Sequence, residues 1–250
     1  MSVADKLTET EIERYGRHII LPEIGGQGQQ KLKAARVCMV GAGGLGSPVL
    51  MYLAAAGVGI LGIVDDDQVS LSNLQRQIIH ATSDIKTDKT TSAANTISLL
   101  NPHVQTMLHP VRLNRENAAS ILGDYDLVID GSDNFATRYL IADTAEALKI
   151  PLVAGALGRF DGSLTVLAPY DNENQNPRYR DLFPAPPTDG TVPSCAEAGI
   201  MGAVAGVIGT LQAVEAIKLI TGVGRPLIGE ILLYDGLEVR FEKMRYKRRA

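Results

Sequence analysis

The stretch RVCMVGAGGLG, residues 36 to 46, decides the fold. Its apolar half, Arg36–Val40, predicts a buried strand, and the apolar segment from 47 to 56 predicts a helix directly after the glycines. Glycines between a strand and a helix let the backbone turn tightly and approach a phosphate group, which the N–H groups of the helix N-terminus then bind. The glycines of this nucleotide-binding pattern are Gly41, Gly43, Gly44 and Gly46.

A carboxylate lies where the pattern requires one. The run from 60 to 64 predicts a second strand, and Asp65 follows it, nineteen residues beyond Gly46. A carboxylate at the end of the second strand of such a unit binds ribose hydroxyls. These features by themselves predict a nucleotide site, whose usual occupant would be a dinucleotide.

The rest of the chain continues the alternation of strands and helices. Strands are predicted near 104–108, 126–130 and 152–156, and helices near 89–100, 116–122 and 136–148. A further strand at 162–168 and a terminal hairpin of 231–234 and 238–241 are expected to pair in antiparallel fashion. The predicted fold is therefore α/β: a Rossmann-like, mainly parallel sheet with helices on both faces, continued by antiparallel strands.

We expect a single domain over residues 1–250. The length of 250 residues and the hydrophobic content of 45% suit one large core. Thr8 and Glu11 have the spacing of a capping box, which predicts a helix over about 9–18, and a short helix is predicted near 29–34. The expected segments are an N-terminal helical part (about 8–34), a nucleotide-binding core (about 35–168), a loop rich in proline and asparagine (about 170–198) and a C-terminal helix and hairpin (about 199–243).

Composition excludes several classes of protein. A net charge of −4 gives no reason to expect nucleic-acid binding, and we interpret the basic residues from 243 to 249 as a solvated tail. Two cysteines, Cys38 and Cys195, cannot build a disulfide framework or a four-thiolate zinc site. No apolar span of about 20 residues and no secretory signal is recognisable. We therefore expect a cytoplasmic protein that does not contact a membrane.

Polar and cationic side chains cluster after the predicted second and fourth strands. Asn73, Arg76 and Lys89 would supply charge-assisted donors for a triphosphate, and a hydride-transferring enzyme does not need two such additional cations. Asp133 follows the fourth strand, where a carboxylate can hold Mg²⁺. For Asp130, which ends that strand, a turn-forming role and a functional role are equally open.

Together these segments resemble the MoeB/ThiF/HesA family, bacterial relatives of ubiquitin-activating enzymes, over roughly residues 8 to 242. The blocks that carry the resemblance are RYGRH at 14–18, LPEIG at 21–25, GAGGLGS at 41–47, AAAGVG at 54–59, SNLQRQ at 72–77, DN at 133–134 with TRY at 137–139, and SCAEAG at 194–199. Such a combination is far more specific than a glycine motif alone.

The resemblance implies ATP-dependent adenylation of the C-terminal glycine carboxylate of a ubiquitin-like sulfur-carrier protein ending in Gly-Gly, with release of pyrophosphate. This is a step of sulfur transfer in molybdopterin or thiamine biosynthesis, and the sulfur would come from a separate donor protein. By resemblance, Asp65 would bind ribose and Asp133 the magnesium ion. Arg17 would enter the ATP site of the neighbouring subunit, which implies a homodimer. The phosphate-binding residues implied are Asn73, Arg76 and Lys89, and Gln77 is a further residue expected to bind the nucleotide.

The chain departs from the family at three places. Many members bind zinc with two C-x-x-C pairs, but Arg178 and Asp181 stand at the first pair's positions and the second pair is absent. We therefore expect no structural zinc, with the loop held by packing or by a weak Arg178–Asp181 ion pair. Lys86 and Asp88 lie where the family often has a glycine before the catalytic lysine, here Lys89.

Cys195 leaves two mechanisms open. In the thiamine branch a cysteine at this place forms a covalent link to the carrier, whereas in the molybdopterin branch adenylation is sufficient. A free cysteine is also often only a small buried hydrophobe. The four histidines, His18, His80, His103 and His109, show no spacing that indicates a catalytic unit, and we interpret each as structural or solvated.

Three other functions compete with adenylation of a carrier. An NAD-dependent oxidoreductase would explain the glycines and Asp65 but not Asn73, Arg76, Lys89 and Asp133. A relative of the same fold that activates a tRNA base has only the basic tail in its favour. A non-catalytic module that binds ubiquitin-like folds is disfavoured because the expected ATP residues are present.

Overall fold

The structure is a computed structural model that describes residues 6–171, 173, 175–186 and 199–249. Its centre is one eight-stranded sheet with the strand order β3-β2-β1-β4-β5-β6-β7-β8. The first five strands in this order are parallel, and β6, β7 and β8 continue the sheet in antiparallel fashion. The predicted fold class is confirmed. The strands are β1 Arg36–Val40, β2 Ile60–Val64, β3 Gln105–His109, β4 Leu127–Asp130, β5 Leu152–Leu157, β6 Asp161–Leu167, β7 Glu230–Asp235 and β8 Arg240–Arg245.

Helices cover both faces of the sheet because side chains alternate between the faces along each strand. In β1, Val37 and Met39 pack into one core layer with α4, α5 and α9, whereas Cys38 and Val40 pack into the opposite layer with α6 and α7. The helices of the described ranges are α1 Glu9–Arg14, α2 Gly16–Ile19, α3 Gly25–Ala34, α4 Gly46–Ala56, α5 Lys89–Leu100, α6 Ala118–Leu122, α7 Phe135–Leu148, α8 Tyr179–Leu182 and α9 Gly202–Thr221.

The N-terminal helix is shorter than predicted. The capping box of Thr8 and Glu11 is present, but the helix breaks at Tyr15 and α2 begins after it. Tyr15 is buried, and its hydroxyl accepts a hydrogen bond of 2.8 Å from the Asn101 amide. Its ring lies where a side chain at Gly57 would be, so this contact with the core fixes the break.

Three other boundaries differ from the prediction. Helix α3 begins at Gly25, four residues ahead of the predicted start near 29, and the short helix α8 lies inside the predicted loop. In the terminal hairpin the second strand begins at Arg240 and runs to Arg245, later than predicted. The Asp235 carboxylate accepts the N–H groups of Leu237 and Glu238, which extends the turn.

Helix α9 is, by length and composition alone, apolar enough to cross a membrane. In this structure it packs against α3, α4, β5 and β6, so its apolar composition is that of a helix in the core. Its buried Gln212 donates a hydrogen bond of 2.7 Å to the Asp130 carbonyl, and its buried Glu215 accepts the N–H of Leu227 at 3.0 Å. These polar contacts fasten α9 to β4 and to the segment before β7.

Candidate active site

A cavity of about 300 Å³ lies at the carboxyl ends of β1, β2 and β4. Strand order reverses between β1 and β4, and ligands of open α/β sheets bind at such a point. The structure brings eight residues singled out in the sequence to this cavity: Gly41, Gly43, Gly44, Asp65, Arg76, Gln77, Lys89 and Asp133.

In the loop after β1, the physical reason that glycine is needed differs from one position to the next. A Cβ on Gly46 would lie 2.0 Å from the Gly41 carbonyl oxygen, and Gly41 itself has a φ of +94° and lies close to the Gly131 carbonyl. Packing therefore requires glycine at both. A Cβ on Gly43 would meet only the Gln77 side chain, at an ordinary 3.5 Å. The space above Gly43 belongs to the cavity, so its glycine leaves room for a ligand.

Asp65 and Lys89 meet at one side of the cavity. Asp65 accepts the N–H of Ala42 at 2.8 Å and the N–H of Asp67 at 2.9 Å. Burial raises the pKa of Asp65, and the nearby Lys89 ammonium opposes that rise. The Lys89 side chain is buried, with its Nζ 2.7 Å from Asp67 Oδ2 and 3.7 Å from Asp65 Oδ1. Asp65 thus also braces the glycine loop, a role that its position in the sequence did not indicate.

The segment after β2 turns two side chains toward the cavity. The Asn73 carbonyl accepts the N–H groups of Arg76 at 3.1 Å and Gln77 at 3.0 Å. Gln77 is 5% exposed, and its Oε1 has no hydrogen-bond partner among the described residues. The Arg76 guanidinium donates a hydrogen bond of 3.3 Å to the Ser72 carbonyl. The half-buried Asn73 does not line the cavity, so its contribution here is through its backbone.

The turn after β4 forms the opposite wall. Asp130 is buried and accepts the Ser132 N–H at 2.8 Å; burial raises the pKa of Asp130, and Arg138 opposes that rise. Asp130 therefore shapes the turn. Asp133 is exposed at the mouth of the cavity, and the buried Ser132 hydroxyl has no partner among the described residues. Arg138 also lines the cavity and donates a hydrogen bond of 2.9 Å to the Ser132 carbonyl. The sequence alone did not identify it as a site residue, although it lies inside the TRY block.

The structure places the remaining predicted residues elsewhere. Gly46 is the first residue of α4, outside the lining of the cavity. Arg17 is exposed on α2 and does not line the cavity of its own chain. Cys195 lies outside the described residues.

The first C-x-x-C position is occupied by an ion pair, as predicted, but the pair is stronger than a surface contact. Asp181 accepts two hydrogen bonds from the Arg178 guanidinium, at 3.0 and 3.2 Å, and its side chain is 2% exposed. The Arg249 N–H donates to the same carboxylate at 3.2 Å, which ties α8 to the C-terminal segment. Among the described residues, three acidic groups lie close enough together to share a metal ion: Asp65, Asp66 and Asp67.

A second, wider cavity of about 1130 Å³ adjoins the first. Its floor is the open face of the antiparallel strands, with Ile231, Leu233 and Tyr234 among its apolar residues. The two cavities share four bordering residues: Asp133, Asn134, Arg138 and Leu157. A chain lying on the antiparallel strands would therefore reach the narrow cavity directly.

The chain matches the ThiF family over residues 15–250. It is 51% identical over 242 residues to a sulfur carrier protein adenylyltransferase of Thermus thermophilus, covering 96% of this chain and 89% of that relative. A probable adenylyltransferase/sulfurtransferase MoeZ of Mycobacterium tuberculosis is 48% identical over 238 residues. The aligned residues cover 95% of this chain but 61% of that protein, so this chain spans less than two thirds of MoeZ.

Solved structures extend the likeness to the fold. The crystal structure of MccB of E. coli superposes with a TM-score of 0.83 at 18% identity, covering 99% of this chain and 73% of that one. At that identity the likeness concerns the fold alone. The family match and the two sequence relatives cover nearly all of the chain, and the chain belongs to the ThiF family.

Proposed function

We propose that this protein is an ATP-dependent adenylyltransferase that activates the C-terminal glycine carboxylate of a ubiquitin-like sulfur-carrier protein and releases pyrophosphate. The observation that carries the proposal is the cavity at the β1 to β4 switch point, which combines a glycine loop with Arg76, Lys89 and Arg138. The names of the two sequence relatives, sulfur carrier protein adenylyltransferase and probable adenylyltransferase/sulfurtransferase, support the same reaction.

The residues of the cavity fit a nucleoside triphosphate. Two buried polar atoms at its wall, Gln77 Oε1 and the Ser132 hydroxyl, have no partner among the described residues, and buried polar atoms are ordinarily hydrogen-bonded. The backbone of Gly43 is open to the cavity. Together with the N-terminus of α4, these groups offer donors and acceptors in addition to the four cationic side chains that line the cavity, Arg76, Lys89, Arg112 and Arg138.

The chemistry requires little beyond charge and alignment. A C-terminal carboxylate has a pKa of about 3.3 to 3.7, so at neutral pH it is already an anionic nucleophile and needs no general base. The task of the site is to bring that anion to the α-phosphorus and to neutralise the charge that develops on the phosphates. Arg76 and Arg138 are suited to the phosphates, and Lys89 can exchange Asp67 for a phosphate oxygen because the Asp67 side chain is largely exposed.

Asp133 is the residue that would hold Mg²⁺. Its exposed carboxylate at the cavity mouth is the kind of hard oxygen ligand that Mg²⁺ binds together with substrate phosphates. When bound, the ion neutralises phosphate charge during displacement of pyrophosphate. Asn134 lies beside it with its amide 3.4 Å from Asp133 Oδ1 and also caps α7, which positions the turn.

The carrier protein would dock on the wider cavity. Its apolar floor on β7 suits a folded partner, and the border shared by the two cavities suits a narrow, extended C-terminal tail. A tail that ends in Gly-Gly has the slender backbone that such a passage requires. We further propose that the enzyme is a homodimer in which Arg17 acts on the neighbouring subunit, because Arg17 is exposed next to the exposed apolar residues Ile20 and Leu21. A separate protein would donate the sulfur.

The decisive assay is carrier-dependent ATP–pyrophosphate exchange. Intact carrier should support exchange and carrier without its terminal Gly-Gly should not, because the reacting carboxylate would then fall short of the phosphate. Arg76→Ala and Lys89→Ala should each lower exchange at least about 100-fold, the scale of one lost charge-stabilising contact in a site of this kind. Arg115→Ala, at an exposed arginine, is the matched control and should leave exchange unchanged.

A binding measurement separates the competing functions. ATP with Mg²⁺ should raise the melting temperature, because a ligand that binds only the native state stabilises it, and NAD should not. Equal stabilisation by NAD alone would favour an oxidoreductase. Exchange that depends on tRNA and is indifferent to the carrier would favour the tRNA-activating alternative.

A further inference from the structure

A buried histidine joins the glycine loop to the helix that carries Lys89. His80 is 7% exposed; its Nε2 lies 2.8 Å from the Ala42 carbonyl oxygen and its Nδ1 lies 2.7 Å from the Ser92 hydroxyl of α5. The Ser92 hydroxyl in turn lies 2.7 Å from Asp84 Oδ2. The result is a chain of contacts from Asp84 through Ser92 and His80 to the backbone of the loop.

The position of the Ala42 carbonyl determines where the loop presents its next N–H group. In a trans peptide the carbonyl of one residue and the N–H of the next point in opposite directions. Because His80 holds the Ala42 carbonyl on one side, the Gly43 N–H faces the other side. The preceding peptide is held independently, since Asp65 accepts the Ala42 N–H. Asp65 and His80 together clamp both peptide groups of Ala42.

The contact chain does not have enough protons when His80 is neutral. Three contacts, each 2.7 to 2.8 Å, need three shared protons. Ser92 supplies one proton and a neutral imidazole one, and the Asp84 carboxylate supplies none. The N–H of Ala81 and the Ser92 hydroxyl lower the pKa of Asp84, so it stays ionised. A neutral ring must therefore give up one of the contacts, whereas an imidazolium satisfies all three.

We propose that His80 is a positioning residue of the phosphate-binding loop, and that proton uptake by its ring strengthens its hold on the Ala42 carbonyl and thereby the affinity for nucleotide. The inference rests on the proposed ATP site. In the neutral ring the Ala42 contact is kept by one tautomer and lost by the other, so the loop is held in only part of the population.

The charged groups around His80 set the pH range of this effect. Burial lowers the pKa of His80 and Lys89 lowers it further, whereas the Ala42 carbonyl, Asp65 and Asp84 oppose the shift. With the pKa lowered from its ordinary value of about 6.5, the ring takes up a proton only below that pH. Affinity for nucleotide should therefore be higher below the pKa of His80 and fall as the pH rises through it.

The first test needs no nucleotide. The ¹⁵N shifts of the His80 ring and the amide shift of Gly43 are followed by NMR between about pH 4 and 8, a range that extends well below the ordinary histidine pKa of about 6.5. We expect both ring nitrogens to be protonated at low pH and the Gly43 amide to titrate with the same midpoint as the ring. A Gly43 amide that does not change through the titration of His80 would overturn the inference even if the protein binds no nucleotide.

The second test measures the dissociation constant for ATP over the same range in the wild type and in variants. The ratio of wild type to variant at each pH removes the titration of ATP itself. His80→Gln keeps a hydrogen-bond donor but cannot titrate. As the pH rises, the affinity of the wild type for ATP should therefore fall about threefold to tenfold more than that of the variant, a factor that corresponds to one hydrogen bond. Identical pH profiles would contradict the proposal. His103→Gln, at an exposed histidine, should behave as the wild type.

Ser92→Ala provides a second, independent variant. Without the Ser92 hydroxyl, the Ala42 carbonyl is the remaining hydrogen-bond partner of the His80 ring among the described residues, so the tautomer protonated at Nε2 is favoured whenever the ring is neutral. We expect tight binding with little pH dependence, which a general loss of stability would not produce. If this variant keeps the full pH dependence of the wild type, the contact chain does not control the loop. Failure of the wild type to bind ATP at any pH would instead count against the proposed function.

Discussion

At the scale of single residues, the turn before α5 shows how a departure from the family is accommodated. Lys86 stands near the place where a glycine is often found, and it has a φ of +74°, in the left-handed region. Two hydrogen bonds hold it there, from Lys86 N–H to the Val69 carbonyl and from Thr87 N–H to the Asp84 carbonyl. The turn is thus kept without glycine, and Lys89 still reaches the cavity.

Replacing Lys86 by glycine should stabilise the protein. A left-handed conformation costs a residue with a Cβ about 1 to 2 kcal/mol, and glycine removes this cost. Part of the resulting stabilisation is offset by the greater freedom of glycine in the unfolded chain. We expect the free energy of unfolding in urea to rise by about 0.5 to 1 kcal/mol. Asp88→Gly is the matched control in the same turn; because Asp88 has a φ of −60°, it should bring no gain. Equal effects of both changes would contradict this explanation.

Asp181 is a second residue whose surroundings determine how much it contributes to the stability of the folded protein. Burial alone would raise the pKa of Asp181, but the hydrogen bonds from Arg178 and Arg249 lower it to about 2. A carboxylate whose pKa is lowered in the folded state stabilises that state fully above its unfolded pKa of about 4 and ceases to do so as the pH falls toward the folded value.

Asp181→Asn should therefore cost about 2 kcal/mol of unfolding free energy at pH 6, and less at pH 3. Urea denaturation at both pH values measures the difference between wild type and variant. Asp143→Asn removes a comparable arginine pair that is half exposed and serves as the control, with an expected cost below about 1 kcal/mol. A loss for Asp181→Asn that is the same at both pH values would show that packing, rather than charge, is responsible.

At the scale of elements, the close approach of α9 to the start of α4 supports the glycine loop. A Cβ on Gly209 of α9 would lie 2.5 Å from the Leu45 carbonyl oxygen and 2.5 Å from Pro48 Cγ. Leu45 directly precedes α4 and lines the cavity. The close spacing of α9 and α4 therefore depends on the absence of a side chain at Gly209.

Gly209→Ala should lower the free energy of unfolding by about 1 to 3 kcal/mol, because the added methyl group forces the two helices apart. Gly206 lies one turn earlier in α9, where a Cβ would meet nothing within 4 Å. Gly206→Ala should stabilise by up to about 1 kcal/mol through its higher helix propensity. Opposite signs for the two changes in thermal or urea unfolding are the expected result, and equal gains would rule out the steric explanation.

At the scale of the whole molecule, the proposed dimer makes a quantitative prediction about mixed subunits. Asp133 lines the cavity of its own chain, whereas Arg17 is exposed away from it. If Arg17 acts on the neighbouring subunit, a dimer of one Arg17→Ala chain and one Asp133→Ala chain contains one intact site. Random exchange makes half of the dimers mixed, so a mixture should recover about a quarter of wild-type exchange activity.

The control for this experiment mixes Asp133→Ala chains with Arg76→Ala chains. Both residues line the cavity of one chain, so every site in the mixed dimers is damaged and no activity should return. Absence of recovery in the first mixture, with subunit exchange confirmed, would place Arg17 outside the neighbouring site.

What the sequence by itself determined was the set of elements and the side chains that follow their ends. The strand at 36–40, the glycine loop and the alternation of later strands and helices depend on contacts between near neighbours and on periodic apolar residues, both of which can be read along the chain. For the same reason Asp65, Arg76, Lys89 and Asp133 could be assigned to one cavity, because the carboxyl ends of parallel strands meet at one edge.

The tertiary structure alone decided the contacts that join distant segments. The break at Tyr15, the hold of Asp65 and His80 on Ala42, and the approach of Gly209 to α4 each join residues far apart in sequence. No local pattern encodes such contacts, since burial and distance arise only when the elements pack. The sequence therefore predicted most of the groups at the cavity, and packing decided which of them line it and which hold the loop in place.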